Sequence, residues 1–191
     1  MTRYRELLPR AVAQHGLLTP DDAVAIGGTA HVLIQLAHRG LLERVGRRIY
    51  RVPELADDPL EQYQEALLRL PGGVLSHDTA LDLHDLCDIN PTRVHVTVPA
   101  RLRIRAEVPA WLTIHHRDLA EHETTWHEGL AIVTPARAIL DGIESHVGQR
   151  FIDAAREAAT SRGLLSTRDA QVVERALVAE RLRQLDAAAT T

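Results

Sequence analysis

Four arginines fall within eight residues near the start of the chain, at Arg44, Arg47, Arg48 and Arg51. A DNA duplex carries about one phosphate charge per 1.7 Å of its axis, so a protein that binds it needs clustered cations. The surrounding residues predict two short strands that turn at Gly46 and Arg47. At the tip of such a hairpin, Arg47 and Arg48 would grip phosphate or enter a minor groove. A solvated edge strand that resists aggregation is the alternative use of these arginines.

The elements before this hairpin predict a scaffold that presents it to DNA. Residues 3–15 read as a helix, residues 20–26 as a short helix and residues 29–39 as a third helix. Thr19 is a favourable N-cap for the short helix. Three helices followed by a hairpin is the order of a winged helix-turn-helix, which lays its third helix in the major groove. We therefore predict that residues 1–53 form a winged helix-turn-helix DNA-binding domain.

The third helix has one apolar face and one mostly polar face. The apolar residues recur at the spacing of a buried helical stripe, at Ala30, Leu33, Ile34 and Ala37. The opposite face carries His31, Val32, Gln35 and Arg39, with His38 beside them. Glutamine pairs with adenine and arginine with guanine, so this face is suited to reading bases, and a threonine near the helix start is suited to binding phosphate. The predicted DNA-binding residues are Thr29, His31, Gln35, His38, Arg39, Arg44, Arg47, Arg48 and Arg51.

The net charge conceals an asymmetry between the two ends of the chain. The 191 residues have a formal net charge of −4, which by itself argues against a nucleic-acid partner. Residues 1–52, however, carry eight arginines and four carboxylates, a charge of +4. Residues 53–191 carry the remaining charge of −8. A change of sign between segments predicts two parts with different partners.

Composition excludes several classes of protein. Only six aromatic residues are present, which argues against modules that bind single strands or RNA by stacking bases. A single cysteine, Cys87, excludes an intrachain disulfide and every multi-cysteine zinc or iron–sulfur motif. The sequence has no signal-like apolar segment and no apolar run of about 20 residues. We therefore expect a cytoplasmic protein without a membrane partner, as a monomer or a weak dimer.

The rest of the chain predicts a second, mixed domain. Residues 54–72 read as a linker and a connecting helix. Residues 73–191 predict an α+β domain with a small, mainly antiparallel sheet and C-terminal helices. The alternation of valine with polar residues over 93–98 is typical of a strand, and a helix is expected to begin at Thr134-Pro135. The fold class of the whole chain is therefore predicted to be α+β.

Histidines and carboxylates raise the question of catalysis in this second domain. His115, His116, His122 and His127 lie within thirteen residues, and imidazoles at close spacing bind zinc. No fixed-spacing metal motif accompanies them, and neighbours in a strand point to opposite faces. Ser76, which precedes His77 and Asp78, is better explained as a helix N-cap than as a nucleophile. We predict no catalytic residue, no metal and no cofactor, with a metal-dependent hydrolase that uses the His115–His127 cluster as an alternative.

Several segments carry a family resemblance when they are taken together and in order. They are RGLLERVGRRIYRVP (39–53), SHDTALDLHDL (76–86), VHVTVP (94–99), HHRDL (115–119) and GLAIVTPARAILDGI (129–143). In this order the chain resembles the AbiEi-type antitoxins of type IV toxin–antitoxin systems, over roughly residues 15–145. The wing of that family usually reads Arg-Gly-(Val or Ile)-Tyr, whereas Arg48 replaces the glycine here and adds a cation.

The resemblance implies a function that composition and spacing alone do not. It implies a bacterial transcriptional repressor that binds double-stranded DNA in its own promoter through the winged helix, with wing contacts from Arg44, Arg47 and Arg48. It also implies a non-enzymatic antitoxin whose C-terminal domain counteracts a cognate nucleotidyltransferase toxin. A stand-alone winged-helix transcription regulator without a toxin partner is the alternative.

Overall fold

A computed structural model describes residues 2–189, which divide into two compact units. One unit ends at Pro71 and the other begins at Gly72, and each contains its own sheet. Helices and strands are both abundant, so the predicted α+β class is confirmed. No helix in the described part of the chain is both long and apolar enough to cross a membrane.

The first unit begins with helices and ends with a hairpin and one more helix. In order, its elements are α1 (Thr2–Ala13), β1 (Leu17–Leu18), α2 (Pro20–Ala25), α3 (His31–His38), β2 (Glu43–Gly46), β3 (Ile49–Arg51), a 3-10 turn at Pro53–Leu55 and α4 (Glu61–Arg69). The strands form an antiparallel sheet in the order β1-β3-β2. At the start of α2, the Asp22 carboxylate accepts a hydrogen bond of 2.8 Å from the backbone N–H of Thr19. Thr19 therefore occupies the predicted N-cap position.

Helix α3 is turned relative to its predicted orientation. Leu33 and Leu36 are buried, and Val32 packs against the same core. Ile34, which was predicted to be buried, is 41% exposed, and Ala30 is exposed. Two leucines bury more apolar area than a stripe with alanine at both ends, so the core takes Leu36 rather than Ala30. The predicted faces were therefore wrong for Val32, Ile34 and Ala30.

Strands β2 and β3 form the predicted hairpin, but its turn lies one residue later than the predicted Gly46-Arg47. Gly46 pairs with Ile49, which leaves Arg47 and Arg48 as the two residues of the turn. Arg48 has a φ of +63°, in the left-handed region where glycine is favoured. The family that the sequence resembles carries glycine at position 48. The left-handed backbone conformation of Arg48 is one that glycine adopts without a steric penalty.

Helix α4 belongs to the first unit. Nη2 of Arg69 donates to the backbone carbonyl of Val45 at 3.2 Å, and Nη1 of Arg51 donates to Glu61 at 3.1 Å. The segment that we predicted as a linker and connecting helix, residues 54–72, is thus bonded to the hairpin and packs within this unit up to Pro71.

The second unit arranges five strands and four helices among its described residues. These are β4 (Val74–Leu75), α5 (His77–Leu83), β5 (Val94–Val98), β6 (Leu112–His116), a 3-10 turn at Glu121–Glu123, β7 (Thr124–His127), β8 (Leu130–Val133), α6 (Pro135–Glu144), α7 (Gln149–Ser161) and α8 (Thr167–Ala189). The order in the sheet is β6-β5-β4-β8-β7. Helices α5 and α6 pack against each other, and α6 also packs against α7 and α8.

This sheet is mixed, which corrects the prediction of a mainly antiparallel one. Strands β4 and β5 pair antiparallel, as do β7 and β8, but β4 pairs with β8 and β5 with β6 in parallel. A parallel pair needs a connection of about a dozen residues or more, and residues 99–111 supply one between β5 and β6.

Candidate functional site

The exposed face of α3 carries most of the residues that were predicted to read bases. His31, Gln35 and His38 are exposed, as is Arg39, which follows the last residue of the helix. Ile34 lies among them. Ala30 takes the N-cap position, so the helix begins two residues later than predicted, and Thr29 is exposed just before it. The face is therefore mainly polar, with one apolar side chain at its centre.

This face and the hairpin border the same groove in the first unit. The groove has a volume of about 370 Å³. Its walls are formed by Pro20, Ala30, Ile34, Ala37, His38, Arg44, Arg48 and Tyr50. Three of the predicted DNA-binding residues, His38, Arg44 and Arg48, thus come together although they belong to different elements.

The arginines around the turn are held only loosely. Arg47 is exposed, and the side chain of Arg48 is 66% exposed with Nη2 at 3.7 Å from Asp21. Asp21 is itself 90% exposed, so this ion pair contributes little. Nε of Arg44 donates to the carbonyl of Gly46 at 3.3 Å. All three guanidinium groups therefore remain accessible to an anionic partner.

Arg51 has a different role from the other hairpin arginines. Nη2 and Nε of Arg51 donate to Glu43 at 2.8 and 3.1 Å, and Nη1 donates to Glu61 at 3.1 Å. The Glu61 side chain is largely buried. Arg51 therefore ties β3 to β2 and α4, and its guanidinium is less available to an anionic partner than those of Arg44, Arg47 and Arg48.

A second group of reactive side chains lies in the second unit. His77 at the start of α5, His95 on β5 and His115 on β6 form a compact group, called here the histidine cluster. Nδ1 of His95 lies 3.1 Å from Nε2 of His115, and the His77 and His115 rings stack with their centroids 3.5 Å apart. One ring nitrogen from each residue lies within 4.8 Å of the other two.

The sheet register explains why His95 and His115 meet. Thr97 pairs with His115 in the parallel ladder, so His95 is the next residue along on the same face. His116 lies on the opposite face and is exposed, as strand alternation predicts. The alternative grouping of His115 with His116, His122 and His127 is not the one that the described residues form, because His115 lies with His77 and His95 instead.

Helix α5 is fixed to β5 in a way that holds His77 over the sheet. The hydroxyl of Thr79 accepts a hydrogen bond of 2.9 Å from the backbone N–H of His95. The hydroxyl of Thr97 donates to Ser76 Oγ at 2.8 Å, and Ser76 Oγ lies 2.9 Å from Nδ1 of His77. Ser76 occupies the N-cap position, but its side chain makes no capping hydrogen bond. Its predicted capping role was wrong, because the buried hydroxyl serves His77 and Thr97 instead.

Asp141 extends this polar network toward a buried arginine. Its Oδ1 accepts hydrogen bonds from the guanidinium of Arg137, which also donates to Glu144 at 2.8 Å. Oδ2 lies 3.7 Å from Nδ1 of His77 and has no hydrogen-bond partner among the described residues. A buried carboxylate oxygen therefore faces the histidine cluster.

The histidines of the cluster are neutral at physiological pH. Burial lowers the pKa of His77 to about 3, and nearby histidines and arginines act in the same direction. Burial and His95 lower the pKa of His115 to about 4. Burial also lowers the pKa of His95. Each ring thus keeps one nitrogen lone pair at pH 7, which is the form of histidine that ligates metals.

No family model and no curated protein match this chain. Among solved structures, the RV2827C protein from Mycobacterium tuberculosis is similar with a TM-score of 0.49 and 11% sequence identity. The similarity covers 92% of this chain and 82% of that one. A TM-score below 0.5 at this identity supports no inference about function.

Proposed function

We propose that this chain binds double-stranded DNA through a winged helix-turn-helix in its first unit. The observation that carries the proposal is the groove that His38 of α3 shares with Arg44 and Arg48 of the hairpin. The order of helices and strands, with β1 as a third strand beside the hairpin, is compatible with this fold. A helix face and an arginine-bearing hairpin that border one groove are suited to contact a base edge and a phosphate at once.

In this proposal, α3 lies in the major groove. Gln35 and Arg39 offer the side chains that pair with adenine and guanine, and His31 and His38 flank them. Ile34 offers an apolar contact for the methyl group of thymine. This contact was not predicted, because Ile34 was expected to be buried. Thr29 remains exposed near the start of the helix for a phosphate contact.

The hairpin supplies much of the affinity. Arg44, Arg47 and Arg48 neutralise phosphates. Residues 53–71 carry a charge of −4 that cancels the +4 of residues 1–52, so the attraction comes from this local arginine cluster and not from the net charge of the unit. Because α3 offers one arginine, at its C-terminal end, we expect modest sequence specificity from base contacts. Phosphate contacts then contribute most of the affinity.

We further propose that the protein is a cytoplasmic antitoxin and autorepressor that catalyses no reaction. The family resemblance of the segments over residues 39–143 supports this part. The second unit, which carries the excess of carboxylates, would counteract a nucleotidyltransferase toxin. Co-expression with the product of the adjacent gene, scored for rescue of growth, tests it; no rescue together with intact DNA binding would favour a stand-alone regulator.

A salt titration tests DNA binding directly. Binding of the full chain to its own promoter fragment is followed by fluorescence anisotropy at several salt concentrations. Because each phosphate contact contributes about 0.9 to the slope of log K against log salt, the double variant Arg47→Ala/Arg48→Ala should lower the slope by about two.

The control for this test removes the same charge elsewhere. Arg101 and Arg103 are exposed in the second unit, so Arg101→Ala/Arg103→Ala should leave the slope unchanged. Equal losses in the two double variants would mean that net charge, and not the hairpin, governs binding. An unchanged slope in the hairpin variant would remove the hairpin from the interface.

A further inference from the structure

We propose that the histidine cluster of the second unit is a binding site for one divalent transition-metal ion of the zinc type. Three imidazoles from α5, β5 and β6 surround a common space, and each offers one nitrogen. The histidine cluster is in the second unit and the surface proposed for DNA is in the first. Each proposal can therefore be tested independently of the other. The proposed metal site departs from the expectation of no metal, which considered only histidines close together in the sequence.

The spacing of the nitrogens fits a tetrahedral metal. With metal–nitrogen bonds of about 2.0 Å, two ligand nitrogens of a tetrahedral zinc ion lie about 3.3 Å apart. Nδ1 of His95 and Nε2 of His115 are 3.1 Å apart. The nitrogen of His77 lies within 4.8 Å of both. The His77 ring is stacked on His115, so it must rotate out of this stack to point its in-plane lone pair at the same ion and complete three ligand positions.

The surroundings of His77 match the second layer of a metal site. A histidine that ligates a metal through one nitrogen usually donates the other N–H to a carboxylate, a carbonyl or water, which fixes the ring. Nδ1 of His77 has Ser76 Oγ at 2.9 Å and Asp141 Oδ2 at 3.7 Å, which leaves Nε2 for the ion. The Asp141 side chain is 3% exposed, and its Oδ2 has no hydrogen-bond partner in the described chain.

The donor set selects the class of ion. Three neutral imidazole nitrogens suit zinc and its transition-metal neighbours, whereas calcium and magnesium require oxygen ligands. His95 and His115 are only half-buried, so the fourth position of a tetrahedral ion is open to water or to a small anionic ligand. The ion would also join the edge strand β6 to α5, which adds a cross-link at one end of the sheet.

Metal titration of the full chain tests the site. The protein is produced without a histidine tag, treated with EDTA and dialysed, and Zn²⁺ binding is measured by calorimetry. Co²⁺ is then added as a spectroscopic probe, since a tetrahedral site gives intense visible absorption. We expect one Zn²⁺ per chain, a tetrahedral Co²⁺ spectrum and no competition by Mg²⁺ or Ca²⁺.

The variants separate this site from adventitious binding by surface histidines. His95→Gln and His115→Gln should each weaken Zn²⁺ binding more than tenfold and abolish the tetrahedral spectrum. His116→Gln, on the same strand but the opposite face, should bind as the parent does. Ser76→Ala removes the hydroxyl beside Nδ1 of His77 and should weaken binding about 10- to 100-fold, the usual cost of losing such a partner.

Tryptophan emission verifies that each variant is folded, because both tryptophans, Trp111 and Trp126, lie in the second unit. Failure of the parent chain to bind one equivalent of Zn²⁺ would overturn the proposal. Binding that survives in both His95→Gln and His115→Gln, or that is lost equally in His116→Gln, would overturn it as well.

Discussion

The two units differ in the exposure of the arginines that define their candidate sites and in how strongly those arginines are paired with carboxylates. In the first unit, the arginines of the hairpin turn are exposed and have weak partners, as Arg48 and its distant Asp21 illustrate. In the second unit, Arg137 is 4% exposed and is held by two carboxylates, beside the buried His77 of the histidine cluster. An exposed arginine is available to an external anion, whereas a buried one is committed to its own fold.

The comparison also applies within the hairpin. Arg48 and Arg51 are three residues apart, yet Arg51 is bonded to Glu43 and Glu61 while Arg48 extends into solvent. Clustered arginines in a sequence therefore do not share one role. The burial of the carboxylate partner decides which arginine is structural, since a buried carboxylate is costly without its cation.

The largest effect should come from the buried arginine of the second unit. Arg137→Ala leaves Asp141 buried without its main cation, so we expect the free energy of unfolding to fall by about 3–5 kcal/mol. Urea unfolding followed by tryptophan emission reports this unit. Arg103→Ala, at an exposed position of the same unit, should change stability by less than about 0.5 kcal/mol. Similar small losses of unfolding free energy in both variants would mean that the ion pairs of Arg137 do not stabilise the fold.

The hairpin and the strand alternation could be predicted from the sequence because they depend on local patterns. Gly46 indicates a turn beside Arg47 and Arg48, and the two-residue period of a strand places His116 on the face opposite His115. The role of Arg51 could not be predicted, because Glu61 reaches it from a helix ten residues further along the chain. Local spacing contains no information about such a partner.

The histidine cluster was missed for a related reason. His77 belongs to a helix, and only the packing of α5 on the sheet brings it to His115. The meeting of His95 with His115 depends on the parallel register of β5 and β6, which the sequence does not specify. The one usable signal was the alternation of His95 with Thr97 on a strand, and it identified a shared face but not the partner strand.

A smaller change in stability is expected from variants at Arg48 in the hairpin turn. At this position the effect of the backbone conformation can be separated from the effect of the charge. Arg48 has a φ of +63°, which costs about 1 kcal/mol for a residue with a side chain. Arg48→Gly should therefore raise the stability of the first unit by at most about 0.5 kcal/mol, because the extra freedom of unfolded glycine, about 0.5–1 kcal/mol, offsets most of the relieved strain. The same variant should lower the salt slope of DNA binding by about 0.9.

Arg48→Ala is the matched control, since it removes the same charge but keeps a Cβ atom. It should lower the salt slope equally and should not raise stability. Tyrosine emission follows the first unit, because all three tyrosines lie there. If glycine and alanine give equal stabilities, the left-handed turn stores no strain.

The last prediction concerns a histidine of the second unit that lies outside the cluster. Nε2 of His84 lies 2.8 Å from the carbonyl of Val133. Burial lowers the pKa of His84 below its ordinary value of 6.5, and His127 and Arg162 add to the shift against the hydrogen bond to Val133. Because the folded chain binds this proton less readily than the unfolded chain, stability is fully present above pH 6.5. It is lost as the pH falls from 6.5 toward the folded pKa.

His84→Gln should therefore flatten the dependence of stability on pH below 6.5. The change in slope is at most about 1.4 kcal/mol per pH unit, the value for one proton. Urea unfolding by tryptophan emission between pH 5 and pH 7.5, in EDTA, isolates the difference from the parent chain. His116→Gln, at an exposed position, should leave the slope as it is. An unchanged slope in His84→Gln would contradict this prediction. It would show that the His84 ring has the same pKa in the folded and the unfolded chain, so that burial does not lower it.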